Sequence, residues 1–220
     1  MVDVQSFPVS LFSDGPALRF LDIAIKVQES RGEISLDAEI QRYIRLIRSD
    51  VIASWHCSVY AAVGVLKFAA DSVETHGGLS DFPPEFREKA KRACGDMAPA
   101  EYLRTFAEIV LVLDRQPTPE YCELPVAGWE FLHMFRHLFG LNAILMDEED
   151  RAFEEIVANI VSAEHPYCHE QALAYALEAQ RAMILYPGED GLREHLYWAT
   201  RDTLLELIHT VNDHMQREHS

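Results

Sequence analysis

The chain has 220 residues, 49% apolar and 25% charged, ordinary proportions for a globular protein long enough to bury a full core. Its 36 acidic side chains outnumber 19 basic ones, for a formal net charge of −17; a field of that sign repels phosphates, which excludes direct nucleic-acid binding as an expectation. Residues 101–220 hold 22 acidic and 8 basic groups while residues 1–100 hold 14 and 11, so the acidity belongs to the second half, where it serves either solubility or recognition of a basic protein surface.

Taken in chain order, the helix signals begin at Asp14, a cap for a helix over about 15–31 with Pro16 in its first turn and Gly32 after its end. From Ser35, apolar residues recur at three- and four-residue steps through Ile40, Ile44, Ile47, Val51, Trp55, Val59, Val63 and Leu66 up to Gly77 and Gly78. This predicts one very long helix, or two joined near Ser49 and Asp50. Pro83 and Pro84 open a short basic helix closing at Gly95, and Pro99 starts another carrying Leu103, Phe106 and Val110. A connection marked by Pro117, Pro119 and Pro125 follows.

Helix signals resume over 126 to Gly140, then from an Asp147 cap to His165-Pro166, over 168–186 to Pro187-Gly188, and over 190–216 with a stripe at Tyr197, Leu204, Ile208, Val211 and Met215. The expectation is an all-α protein of seven to eight helices, a single domain over 1–220. An antiparallel bundle over about 98–216 forms its core, and an N-terminal helical part over 14–95 packs against it.

Four cysteines, Cys57, Cys94, Cys122 and Cys168, lie far apart without a C-x-x-C pair, so neither a paired-thiol zinc site nor a dithiol redox motif is expected. The first twenty residues lack a cationic segment followed by an apolar one, and no stretch approaches the roughly 18 apolar residues of a membrane span. A soluble, cytoplasmic protein is expected. H-E-x-x-H, a Gly-rich phosphate loop and a G-x-S-x-G elbow are absent. The cluster Asp147, Glu148, Glu149, Asp150 has the oxygens a hard cation takes, but at a helix start it reads as capping. His56 sits among Ile52, Val59 and Val63, where a histidine is a hydrogen-bonded core residue before it is a ligand.

Two Glu-x-x-His pairs remain, Glu130 with His133 and Glu206 with His209, each on one helix face. In dinuclear carboxylate bundles that spacing supplies a bridging carboxylate and an imidazole, while two further helices each add a glutamate. Hairpins turning near 119 and 188 bring Glu108 level with Glu130 and Glu170 level with Glu206, which completes the set Glu108, Glu130, His133, Glu170, Glu206 and His209. About one such pair is expected by chance from 22 glutamates and 10 histidines, and both lie on polar faces. His133 and His137 also have the H-x-x-x-H spacing of a metal-bearing helix, without companion motifs. The segment His165, Pro166, Tyr167, Cys168, His169, Glu170 gathers soft and borderline ligands at a helix break, which suits a transition metal or an ordinary polar loop.

The favoured expectation is an acidic helical protein that acts through protein–protein interaction, as an adaptor, inhibitor or regulatory subunit, on a partner with a basic surface. It needs no cofactor, contacts neither nucleic acid nor membrane directly, and offers the 36–76 helix for homodimerisation. The alternative is a ferritin-like or haem-oxygenase-like oxidase holding two Fe or Mn ions with the six residues above.

Overall fold

The computed structural model describes residues 12, 15–49, 58–148 and 150–219. Among them the chain forms eleven helices and no strand. The Asp14 cap, the junction at Asp50, the setting of His56 and the side chain of Glu149 lie outside the described residues. The chain divides into two compact units, one ending at Pro125 and the other starting at Val126.

The first unit contains α1 (Pro16–Glu29), α2 (Leu36–Ser49), α3 (Val59–His76), α4 (Pro84–Cys94) and α5 (Pro99–Asp114). Prolines open α1, α4 and α5, where a missing N–H leaves no hydrogen bond unmade. Of the stretch expected as one long helix or two, the described residues form α2 and α3, and residues 50–57 lie outside them. Ser58 is extended, and its Oγ accepts from Ala61 N at 3.2 Å, so α3 has its own start. At the far end of α3, Gly77 takes φ +73°, and Gly78 N reaches back to Val73 O at 3.0 Å, a left-handed closure that glycine adopts without strain.

The buried face of α3 (Ala62, Val63, Leu66, Ala69, Ala70, Val73) packs on α5, whose own buried face is Leu103, Phe106, Ala107, Val110 and Leu111. Phe20 of α1 meets Phe106 edge-on at 6.2 Å and Tyr43 at 4.9 Å, tying α1 and α2 to the same core. This pairing is why α5 belongs to the first unit rather than opening a bundle at residue 98: its apolar stripe faces α3.

Three arginines one helical turn apart on α2 hold the proline-marked connection. Arg45, 3% exposed, donates through Nη1 to Leu124 O at 2.7 Å and Pro119 O at 3.4 Å, and its guanidinium lies 4.2 Å from the Tyr121 ring centroid. Arg48 bonds Thr118 Oγ1 at 2.7 Å and Asp114 Oδ1 at 2.9 Å, and also meets the Asp114 carbonyl. Arg42 reaches Pro125 O at 3.0 Å and the buried Glu39 at 2.6 Å.

The second unit contains α6 (Gly128–Met134), α7 (Arg136–Asp147), α8 (Phe153–Ala163), α9 (His169–Leu185), α10 (Glu189–Arg193) and α11 (Arg201–Glu218). Its boundaries differ from expectation in three places. The helix expected over 126–140 breaks at Phe135 (φ −130°, ψ 39°) and resumes through Gly140 to Asp147, whose residue is a helix end rather than a cap. The next helix starts at Phe153 after an extended Ala152, with Glu154 and Glu155 in its first turn; Arg151 gathers Glu148 and Glu155, so Glu148 of that acidic cluster is held in a local ion pair. The helix expected over 190–216 is α10 and α11, separated at Thr200, where Thr200 Oγ1 accepts from Thr203 N at 3.1 Å and Thr203 Oγ1 from Thr200 N at 2.8 Å. The helix count and the bundle arrangement therefore differ in detail from the expectation.

Helix α11 packs on both α8 and α9, burying Leu204, Leu207 and Val211 against a core that includes Ile156, Val157, Val161, Ala172, Tyr175 and Ala179. Burial raises the Tyr175 phenol to about 12, helped by the Glu178 carboxylate. None of the described helices is long and apolar enough to cross a membrane.

The arginine clamp predicts a graded response. Arg45→Ala removes a buried guanidinium with its bonds to the Leu124 and Pro119 carbonyls and its contact with Tyr121, and lowers unfolding free energy by about 2–4 kcal/mol, while Arg48→Ala, on a half-exposed side chain, costs about 1 kcal/mol. Urea denaturation of the two variants checks it, and equal losses would count against the clamp.

Candidate metal centre

The six residues of the expected dinuclear set are divided between the two units, and none of them is in the ligand group that the described residues form. Glu108 is in the first unit, with its Oε1 at 2.5 Å from Lys67 Nζ. Glu130 is fully buried, and its Oε2 accepts from Ala127 N at 3.4 Å, one half of a capping box at the start of α6. His133, Glu170, Glu206 and His209 are exposed. Their register also differs: the start of α9 meets the end of α11 rather than its middle, since the connection between the two includes α10 and extends to Thr200. Glu206 therefore lies roughly 12 Å along α11 from His214, the residue that meets Cys168, at 1.5 Å rise per residue.

His137, the partner of His133 in the H-x-x-x-H spacing, has another role. Glu178 of α9 accepts from His137 N and Leu138 N, both at 3.0 Å, and from His137 Nδ1 at 2.6 Å. One nearly buried carboxylate thus caps the start of α7 from a neighbouring helix, where the helix dipole favours negative charge.

A different group does converge. His165 follows the end of α8, Cys168 is the N-cap of α9, His214 is in the penultimate turn of α11 and His219 follows its last residue. One potential ligand atom from each lies within 4.8 Å of every other, the one such group of three or more His, Cys, Asp or Glu side chains among the described residues. Cys168 Sγ is 3.0 Å from His219 Nε2, 3.2 Å from His214 Nε2 and 4.0 Å from His165 Nδ1. The imidazole centroids are 5.0–6.3 Å apart, and no two rings stack in parallel. Ser162 Oγ lies 3.4 Å from His214 Nδ1, so the inner nitrogen of His214 has a polar partner while its outer nitrogen points to the sulfur.

The local fold explains the positions. Helix α8 ends at Ala163; His165 N and Tyr167 N close a tight turn on Ser162 O at 3.1 Å and Glu164 O at 2.8 Å, and α9 starts immediately after Cys168. Antiparallel packing of α11 on α9 then brings the end of α11 to that turn. Cys168 is fully buried and His214 is 8% exposed, while His165 and His219 form the solvent side.

Thiol sulfur is a weak hydrogen-bond donor and acceptor, so hydrogen bonds to it hold three imidazoles only weakly. A cation at the centre satisfies all four donors together. Tetrahedral zinc, with Zn–S near 2.3 Å and Zn–N near 2.0–2.1 Å, places sulfur about 3.6 Å from each nitrogen. The observed 3.0, 3.2 and 4.0 Å bracket that value. One thiolate, three imidazoles and no carboxylate make a borderline-soft set, unsuited to magnesium or calcium.

Sequence reasoning singled out His165 and Cys168 but missed His214 and His219. The signal existed: H-x2-C and H-x4-H both fall within the short-range pair spacings of zinc sites. Forty-six residues separate Cys168 from His214, and only the packing of α11 joins the pairs. Comparison with known proteins adds no relative, since no family model, curated protein or solved structure matches the chain.

Replacing Glu178 by Ala removes the acceptor for three donors and lowers stability by about 2–3 kcal/mol, whereas Glu178→Gln, which keeps a carbonyl for the backbone N–H groups, loses about half as much. Both variants should bind zinc as the parent does, measured by elemental analysis of the refolded proteins.

Proposed function

We propose that the second unit is a metal-stabilised helical interaction module. One zinc ion, held by His165, Cys168, His214 and His219, fastens α11 to the α8–α9 turn, and the unit's acidic surface meets a basic surface on a protein partner. The observation that carries this reading is the convergence of four ligand atoms from two segments remote in sequence. Four protein ligands leave no open coordination position, the condition of a structural rather than a catalytic zinc. This supports a non-catalytic adaptor, inhibitor or regulatory subunit.

The electrostatics of the unit agree with both halves of the proposal. Residues 126–220 hold 17 acidic and 6 basic side chains, a field that raises local cation concentration and steers a basic partner. Among the basic groups, Arg151 and Arg217 are paired with neighbouring carboxylates on the same or adjoining turns. Such exposed pairs add little stability but leave the surface acidic.

The protein should bind one zinc per chain after refolding with excess metal, and Cys168→Ser and His214→Ala should each weaken binding at least tenfold, measured by competition with a chromogenic chelator. At free zinc about a hundredfold above its dissociation constant, unfolding free energy should rise by about 2.7 kcal/mol, and chelation should remove that gain. Absence of stoichiometric zinc, or full binding by Cys168→Ser, would overturn the reading.

A further inference from the structure

The buried stripe of α11 is Leu204, Leu207, Thr210, Val211 and His214. Its last fully apolar member is Val211, at 2% exposure. Beyond it, Asn212, Asp213, Gln216, Arg217, Glu218 and His219 are exposed and Met215 is half-buried. The Arg217–Asp213 pair at 3.9 Å lies within the helix and is exposed, so it does not tie the helix to anything else. Among the described residues, the side-chain hydrogen bonds from 212–219 to the α8–α9 turn are those of His214, to Cys168 and Ser162, and of His219, to Cys168.

A helix end with so little apolar burial opens at small free-energy cost unless something else holds it. The same two imidazoles lie against the Cys168 sulfur, itself fully buried. We infer that the metal site is a latch: zinc held by His165, Cys168, His214 and His219 locks residues 212–219 of α11 onto the α8–α9 turn and shields the Cys168 thiol, and loss of the metal releases both. The inference rests on the metal-site reading and adds regulation to it. Metal supply sets whether the end of α11 is docked or free, while Leu204, Leu207 and Val211 keep the rest of α11 in place in either state.

Amide hydrogen exchange of the full chain, resolved to peptides, tests the latch with zinc added, with chelator, and in zinc-loaded His219→Ala, an exposed site outside the helix whose change leaves the core untouched. Zinc stoichiometry is measured on the same samples. Exchange over 212–219 should slow about tenfold or more with zinc, while 204–211 changes severalfold less. Zinc-loaded His219→Ala should lose most of the slowing at 215–219, and Cys168 should become alkylated faster in chelated protein than in loaded protein. If zinc binds at one per chain and 212–219 exchanges at the same rate with and without it, or if 204–211 is protected equally, the latch is overturned and the metal site stands. If no zinc binds, the metal-site reading fails and the latch falls with it.

Discussion

Everything at the candidate centre depends on the register of α11 against α8 and α9. That register is set by apolar burial: Leu204, Leu207 and Val211 are almost fully excluded from water, and each such side chain stabilises the packed arrangement by roughly 1.5–3 kcal/mol. A slip of one helical turn would move His214 by about 5.4 Å and take its nitrogen out of reach of the Cys168 sulfur. The core therefore sets which turn of α11 faces the α8–α9 turn, and on the latch proposal the ion orders the residues beyond Val211. Ordering residues 212–219 would cost part of the ion's binding free energy, and the affinity is what remains after that cost.

The first unit solves a related problem with hydrogen bonds instead of a metal. The connection after α5 contains three prolines, which donate no N–H, and carbonyls that no helix pairs. Arg42, Arg45 and Arg48 supply the donors from one face of α2, and their fixed guanidinium geometry allows Arg48 to serve Thr118 and Asp114 together. The buried Glu39 balances this cationic face through Arg42 and Lys26. The clamp extends to the Pro125 carbonyl, the last residue of the unit.

Helical class and most helix starts were legible because they depend on local chemistry: Pro16, Pro84 and Pro99 at first turns, Gly77 at a helix end. Breaks marked by neither Gly nor Pro were not legible. Phe135 interrupts an apolar run without a breaking residue, its backbone bend held in a packed aromatic group in which Phe131 and Phe135 are 4.7 Å apart. Thr200 caps α11 through a Thr-x-x-Thr pair, a weaker sign than a pair ending in Glu or Gln. Gly140 looked like a terminator, yet α7 continues through it with an ordinary helical φ. Half of the candidate centre was legible for the same local reason, since His165 and Cys168 share one turn. His214 and His219 became ligands only through long-range packing, and a two-helix mirror drawn at residue 188 pointed instead to Glu206.

The acidity of the second unit and its candidate metal centre are separate features that would favour the same ion in different ways. Among the described residues, no carboxylate of the unit belongs to the converging group, so carboxylate density does not define the site. Exposed carboxylates attract any cation, weakly and only within a screening length of about 8–10 Å. The buried sulfur with its three imidazoles selects among those cations by softness and geometry. Zinc bound to a single thiolate also retains one unit of positive charge, which a neutral surface would leave uncompensated beside the apolar core. In the proposed site that charge would face solvent through His165 and His219, on a strongly acidic body, so the surrounding field would lower the cost of holding an ion that the side chains alone only half neutralise.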